Sequence, residues 1–315
     1  MTENPAEIGR RAFLLAATAV TVAGATGVAA PAHAAPARRK GRSTMTARSV
    51  GGYEVIPLLD AAGPFFLDRQ VAFPAATPRD WELARAVDPG AFGPGQTWQL
   101  DFRCYAIRGP RDRLMLVDTG VGPDGSPAGG WAPTPGRLPD ELAWVGIDPA
   151  DVDTVVLTHL HEDHFGWSVG LDGTPVFPNA RYVVQQREVA ALPAGDAARS
   201  YVVDPLRAAG QLDEVDGVTR LAAAPRAGGS VRVVPTPGHT PGHQSVVLDD
   251  GHDQVVVTGD VLVHAVQLID PAVAYRYEAD PDLARRTRER LLAEARARGA
   301  VLATAHLTEP WTELR

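Results

Sequence analysis

From Gly52 onward, short runs of β-branched residues alternate with helix-period stretches and Pro/Gly turns, the pattern of an α/β chain. No repeat interrupts it, and no shift of composition marks a second domain. The residues just past each apolar run carry the information. Leu114-Met115-Leu116-Val117 leads into Asp118-Thr119-Gly120, and Val155-Val156-Leu157 into Thr158-His159. Val231-Arg232-Val233-Val234 leads to Gly238-His239, Val255-Val256-Val257 to Thr258-Gly259-Asp260, and Val301-Leu302-Ala303 to Thr304-Ala305-His306. Each run places a His or Asp just past its C-terminal end, and in an α/β architecture such side chains converge in a crevice at one edge of the sheet. One helix is equally legible. Asp280-Pro281 offers an N-cap and a proline at the first helical position, and Gly299 a stop. Leu283, Thr287, Leu291 and Ala295 recur every four residues between them, predicting one packed face with the arginines outward.

The densest chemistry lies in Thr158-His159-Leu160-His161-Glu162-Asp163-His164-Phe165-Gly166-Trp167. His159 and His161, two apart, project to the same side of extended backbone. Asp163 and His164 follow a turn and can face a neighbouring position. Two imidazoles thus serve one metal, and a carboxylate with an imidazole serves a second. These donors suit borderline divalent ions, zinc foremost, with iron, cobalt or manganese in the same class. Each half-set is incomplete, and the strand-end residues complete them. Of nine histidines in the chain, six fall at these strand ends or beside them.

Composition changes the picture at the N-terminus. The chain has 315 residues, 45% of them hydrophobic, ample for one large domain with appendages. Gly9-Arg10-Arg11-Ala12-Phe13-Leu14-Leu15 opens a basic-then-apolar stretch that ends in Ala32-His33-Ala34. Residues 1–34 therefore read as a signal peptide of the twin-arginine type, cleaved before Ala35, and the expected location is extracellular or in the cell envelope. That route carries folded proteins, which suits a chain that loads metal before export. Residues 35–48 hold Arg38, Arg39, Lys40, Arg42 and Arg48 with no acid and read as a disordered basic linker. The globular domain is expected over 49–315. No later apolar run is long enough to span a membrane, so no stable membrane insertion is expected after cleavage. The five linker bases leave residues 49–315 more acidic than the whole-chain net charge of −8, which argues against a nucleic-acid partner and for a small-molecule substrate. Cys104, the one cysteine, sits in a strand-like run and is expected to be buried and inert.

His-x-His-x-Asp-His after a strand resembles the signature of the metallo-β-lactamase superfamily. Val117-Asp118-Thr119-Gly120, Pro237-Gly238-His239-Thr240-Pro241-Gly242-His243 and Thr258-Gly259-Asp260 match its flanking blocks, so the resemblance covers roughly residues 50–310. It implies a four-layer αββα sandwich with two divalent ions, zinc first among them, at one edge. By position, His159, His161 and His239 hold the first ion, and Asp163, His164 and His306 the second. Asp260 bridges, and Asp118 orients a ligand imidazole. The implied activity is hydrolysis by a hydroxide shared between the two ions, with Asp163 a candidate to steer it or carry a proton.

Departures sort the branches. Asp260 stands where cysteine-ligand β-lactamases have a thiol, and His161 where flavin-linked di-iron reductases usually have Glu. Export argues against glyoxalase II, and export with an acidic domain against RNA-processing members. What remains is the branch of acyl-homoserine lactone lactonases and methyl parathion hydrolase-like enzymes, which the sequence resembles in Phe177-Pro178-Asn179-Ala180-Arg181-Tyr182 and in the segment after Asp260. Small lactonases carry a tyrosine three residues after the bridging aspartate; here that position is Val263, followed by His264. The expectation is cleavage of an ester, phosphotriester or lactone, leaning towards activated esters and phosphotriesters, with His264 a candidate acid. An acyl-homoserine lactonase is the alternative; a β-lactamase-like enzyme or a catalytically silent metal-binding sandwich stands behind it. His243 is a candidate support for a ligand or a core residue, and His252 a hairpin-turn residue. Trp131, Trp144 and Trp167 are core residues or pocket walls.

Overall fold

The computed structural model describes residues 46–223 and 228–314; the expected signal peptide and nearly all of the linker lie outside them. One sheet runs in the order β1 (Arg48–Val50), β2 (Tyr53–Asp68), β3 (Thr97–Arg108), β4 (Leu114–Val117), β5 (Thr154–Val156), β6 (Arg181–Gln185) and β7 (Leu212–Val215). The other runs β8 (Thr219–Ala223), β9 (Ser230–Pro235), β10 (Gln244–Asp249), β11 (Gln254–Val257), β12 (Val301–Ala303) and β13 (Trp311–Glu313).

Strand alternation builds the layers. Val55, Tyr105, Ile107 and Val117 of the first sheet pack against Val231, Val246, Leu248 and Val257 of the second, forming the central core. The intervening residues Cys104, Ala106, Leu116 and Val155 face outward, onto the helices Leu138–Trp144, Gln186–Ala191 and Asp204–Ala208. On the far side Val247, Val256 and Leu302 meet Leu291, Leu292 and Ala295 of the helix Pro281–Arg298. The result is the expected αββα sandwich. Cys104 is buried, and burial raises its thiol pKa well above the ordinary value, as an inert core residue requires.

The helix Pro281–Arg298 has the expected ends: Asp280 accepts from the Leu283 N–H at 2.9 Å, and Gly299 takes a left-handed φ of 61°. One arginine departs from expectation. Arg288 turns inward, pairs with buried Glu278 and donates to the Val261 carbonyl at 3.2 Å. A buried carboxylate needs a cation or hydrogen-bond donors, and Arg288 supplies the charge for Glu278. At the other end of the domain, β1 begins at Arg48 and Ala47 packs against the core, so the folded part reaches into residues grouped above with the linker. Pairing with β2 fixes them. Among the described residues no helix is long and apolar enough to cross a membrane.

The direction of the strands places the site. β4, β5 and β6 are mutually parallel. β9 and β11 each lie antiparallel to β10, and β11 is parallel to β12, so β9, β11 and β12 also share a direction. The loops after β4 and β5 therefore leave one end of the first sheet and those after β9, β11 and β12 one end of the second, and the close contacts among the residues they carry show that the two ends form a common edge.

Candidate metal centre

All seven predicted ligands meet at that edge, in two groups. His161 Nδ1 lies 3.0 Å from His159 Nε2 and 2.9 Å from His239 Nε2, so three imidazole nitrogens surround one point. Asp163, His164 and His306 form the second group, with Asp163 Oδ2 3.7 Å from His164 Nε2 and 3.6 Å from His306 Nε2. Asp260 joins them. Its Oδ2 is 3.2 Å from His239 Nε2 and 3.9 Å from His159 Nε2, while its Oδ1 is 3.3 Å from His164 Nε2 and 3.1 Å from His306 Nε2. One carboxylate thus presents one oxygen to each group, the arrangement of a bridging ligand.

What backs His159, His164 and His306 decides which of their nitrogens faces inward. His164 Nδ1 is 2.8 Å from Asp118 Oδ2, and His306 Nδ1 donates to the Asp101 carbonyl at 2.8 Å; in both, Nε2 is the nitrogen turned to the group. Thr158 donates its hydroxyl to Asp118 Oδ2 and so accepts from His159 Nδ1, 3.1 Å away, with the same outcome for His159. Asp118 also accepts from the Thr158 N–H and holds a positive φ of 60°, a strained conformation at the end of β4 that its three bonds maintain. His243 Nε2 accepts from the Asp260 N–H at 2.9 Å and fixes the bridging residue from behind. Buried Arg103 donates to the carbonyls of Thr304, Leu307 and Thr308 and holds the loop that carries His306.

Electrostatics separate the two groups. Burial pushes His159 and His239 well below the ordinary imidazole range. Burial also lowers His164, but Asp260, Asp163 and Asp118 outweigh it and hold the ring well above that range. His306 is raised in the same way by Asp260 and Asp163 against burial. Burial alone would raise Asp260; His306, His164 and His239 overcome it and hold the carboxyl well below its usual value. His164 Nε2 and Asp260 Oδ1 are buried and without a hydrogen-bond partner, the signature of polar atoms built for something other than a protein donor. The donor set, six nitrogen or carboxylate positions and one bridge, fits two borderline divalent ions.

His264 is not brought to this edge. Its ring packs among Phe73, Trp81, Phe92 and Trp98, and none of the seven ligands is among its ring or hydrogen-bond partners. Its Nδ1 accepts from the Val266 N–H at 3.0 Å, and burial drives its pKa down to about 3. Enclosed by four rings, with no hydrogen-bond partner on Nε2 and no ligand among its contacts, His264 gives the acid role expected of it no geometric support. His252 lies in the turn between β10 and β11, exposed, as expected. Trp144 is exposed and Trp167 donates to Asp60 at 3.0 Å, bracing the loop after the motif.

Tyr275, Phe102, Phe66 and Tyr277 at the edge escaped sequence reasoning, whereas Trp131 was among the expected core residues or pocket walls. Tyr275 lies parallel to the His239 ring, 7° between planes and 6.1 Å between centroids. Burial, then Asp163 and Asp260, raise its phenol well above the ordinary value and keep it protonated. Phe102 meets His306 edge-on at 5.7 Å, and Trp131 meets Phe102 at 5.9 Å and Phe66 at 5.7 Å. Trp131 also donates to Glu162, inside the motif, at 2.6 Å. Phe66, 53% exposed, and Tyr277, 45% exposed, stand 6.5 Å apart at the outer end of this aromatic wall.

Comparison with known proteins agrees with the fold. Residues 103–306 match the family model of the metallo-beta-lactamase superfamily. The chain is 32% identical over 222 residues to metallo-beta-lactamase domain-containing protein 1 of Mus musculus, covering 69% of this chain and 68% of that protein. The N-acyl homoserine lactonase AttM of Rhizobium radiobacter is 35% identical over 112 residues, 35% of this chain; the chain spans only 40% of that lactonase. The crystal structure of AidC, a dizinc quorum-quenching lactonase, superposes with a TM-score of 0.67 at 20% identity, covering 86% of this chain and 94% of that one. The chain belongs to the metallo-β-lactamase superfamily.

Proposed function

We propose that this chain is an exported two-metal hydrolase of ester-type bonds, and that N-acyl lactones are its substrate class. The observation that carries the hydrolase reading is Asp260, with one oxygen turned to each of two imidazole-bearing groups. His159, His161 and His239 would hold one divalent ion and Asp163, His164 and His306 a second, with Asp260 offering an oxygen to each; such ions, zinc by choice of donors, would supply a nucleophile at neutral pH and polarise a scissile carbonyl. Asp163, partly exposed and with a carboxylate oxygen at the second group, is placed to steer that nucleophile or hold a proton.

Three features favour a lactone with an acyl arm. The wall of Phe66, Trp131, Phe102 and Tyr277 offers apolar surface beside the ligands. A lactone opens to an alkoxide, a poor leaving group, and the protonated Tyr275 phenol is a donor for it that the sequence position of Val263 does not provide. The N-acyl homoserine lactonases among the relatives are named for this chemistry. A second reading, activated aryl esters and phosphotriesters, is favoured by Val263 itself, which is buried in an apolar cluster and brings no hydroxyl to the bridging residue.

A substrate panel on metal-loaded protein decides between them: N-acyl lactones of increasing chain length, nitrophenyl esters, aryl phosphotriesters and β-lactams. Lactones are expected to be turned over, with KM falling as the acyl chain lengthens. Cleavage of activated esters and phosphotriesters without lactones would hand the assignment to the second reading, and no hydrolysis at all would end the first. Export rests on Arg10-Arg11 ahead of a weakly apolar run. Replacing both arginines with lysine should keep the protein in the cytoplasm, and unchanged export would remove the twin-arginine reading.

A further inference from the structure

The two loops that bear the first three imidazoles come from different sheets; Gln244 ties their bases together through the Thr158 and Leu157 carbonyls, each at 2.9 Å, and one carboxylate joins them farther out, beside the ligands themselves. Glu188, buried in the short helix Gln186–Ala191, turns both carboxylate oxygens inward. Oε1 accepts from the Leu160 N–H at 2.9 Å, and Oε2 accepts from the Gly242 N–H at 2.8 Å. Leu160 lies between His159 and His161, and Gly242 lies three residues after His239. The carboxylate therefore spans the loop after β5 and the loop after β9. The backbones approach so closely that a Cβ on Gly242 would collide with the Glu188 backbone nitrogen, so only glycine lets this loop reach the helix. Nothing equivalent connects Glu188 to Asp163, His164 or His306, of which the two imidazoles are backed by Asp118 and by the Asp101 carbonyl.

We propose that Glu188 is the positioning residue of the first metal group, clamping the His159/His161 loop to the His239 loop and so setting the affinity of that group alone. The physical argument is one of register. His161 Nδ1 sits within 3.0 Å of both His159 Nε2 and His239 Nε2, and only a fixed distance between the two loops keeps three nitrogens on one point. Hydrogen bonds from two backbone amides to an ionised carboxylate are about twice as strong as neutral ones, and the carboxylate that receives both is itself buried. Removing one acceptor leaves a buried N–H unpaired and frees one loop to drift. Outer partners of ligands are worth roughly 10- to 100-fold in metal affinity, and the drift is expected to cost the first group that much.

The inference rests on the two-metal reading above, and the test separates the two. Glu188→Gln keeps the volume but turns one acceptor into an NH₂ that opposes a backbone N–H. Cobalt(II) is titrated into metal-free wild type, Glu188→Gln and Asp118→Asn, and the paramagnetically shifted ring N–H signals of His159, His164 and His306 report each group. Wild type should load two ions; failure to do so sinks the metal centre itself, not only the clamp. In Glu188→Gln the His159 signal should appear only at roughly 10- to 100-fold higher cobalt, with the His164 and His306 signals at wild-type concentrations. Asp118→Asn should weaken the His164 signal most. Equal weakening of both groups in Glu188→Gln, or none, overturns the proposal. Amide exchange in the metal-free wild type gives a check that needs no variant. The Leu160 and Gly242 N–H groups should be slow and open together, and fast exchange at either would overturn it as surely.

Discussion

Two buried histidine environments lie on the same loop system, one at the metal edge and one around His264, and they are built for opposite ends. At the edge, Asp118, the Asp101 carbonyl and the Thr158 hydroxyl each occupy the outer nitrogen of a ring, so the inner nitrogens converge with two carboxylates. Around His264 the order is reversed. A backbone N–H occupies Nδ1, the hydrogen rests on Nε2, and Nε2 finds only aromatic neighbours and no hydrogen-bond partner. Burial is almost equal in the two places. For His159, His164 and His306 the partner on the far nitrogen, not depth in the protein, separates a ligand from a packing unit; His239, whose Nδ1 has no partner, is instead turned to the site by its place beside Asp260 and His161.

The largest effect should come from breaking the edge at its shared member. Asp260→Ala removes a donor from both groups, and elemental analysis should find well under two ions per chain, with hydrolysis at the uncatalysed background. His161→Ala is expected to empty the first group and stop turnover as well, whereas full activity in a metal-free variant would refute the role of both residues. A smaller and selective effect is expected at Tyr275. Tyr275→Phe should lower kcat on lactones by about 100-fold and change turnover of nitrophenyl esters by less than about threefold, since good leaving groups need no donor. Equal losses on both substrates would deny the phenol that role. Smaller again is the apolar wall. Phe66→Ala and Trp131→Ala should raise KM for long-chain lactones by about 10-fold with kcat unchanged, the worth of roughly 1.5 kcal/mol of apolar contact. Chain-length-independent KM values would show that the acyl arm lies elsewhere.

The smallest effect on activity belongs to the cage. His264→Gln should leave turnover within about twofold of wild type, and a large loss on lactones would reinstate His264 as the acid. Its signature is in stability instead. The folded pKa of His264 is lowered to about 3, against an unfolded value near 6.5. Below that unfolded value the unfolded chain takes up a proton that the cage refuses. Stability is therefore intact above pH 6.5 and declines by about 1.4 kcal/mol per pH unit as the pH falls towards 3. Denaturant unfolding of metal-free protein at several acid pH values should show a shallower decline for His264→Gln than for wild type. Parallel curves would mean that the ring titrates normally.

How far the sequence carried depends on whether information was local. The seven ligands were legible because each follows a short apolar run or sits in one ten-residue motif, and strand ends of common direction must meet at an edge. The helix Pro281–Arg298 was legible through its cap and its four-residue period, yet Arg288 was misplaced, because its partner Glu278 lies in an irregular loop that no periodicity reveals. Trp131 was offered by the sequence as core or pocket wall, but Tyr275, Tyr277 and Phe66 come from separate loops and strand ends with ordinary aromatic composition, and only tertiary packing brings them beside it. His264 misled because adjacency to the Asp260 block in sequence does not fix which way a ring turns. Glu188 was invisible for the same reason: its two partners, Leu160 and Gly242, are far from it and from each other along the chain.

The central claim is that the two groups joined by Asp260 hold two ions and that hydrolysis requires both. The most direct measurement is stepwise zinc titration of the metal-free chain, with bound metal and hydrolysis of an N-acyl lactone and a nitrophenyl ester read on the same samples. The expected result is saturation at two ions per chain, with turnover reaching its full value only as the second ion binds. Saturation at one ion with full turnover, or two bound ions with hydrolysis of neither substrate, would contradict it.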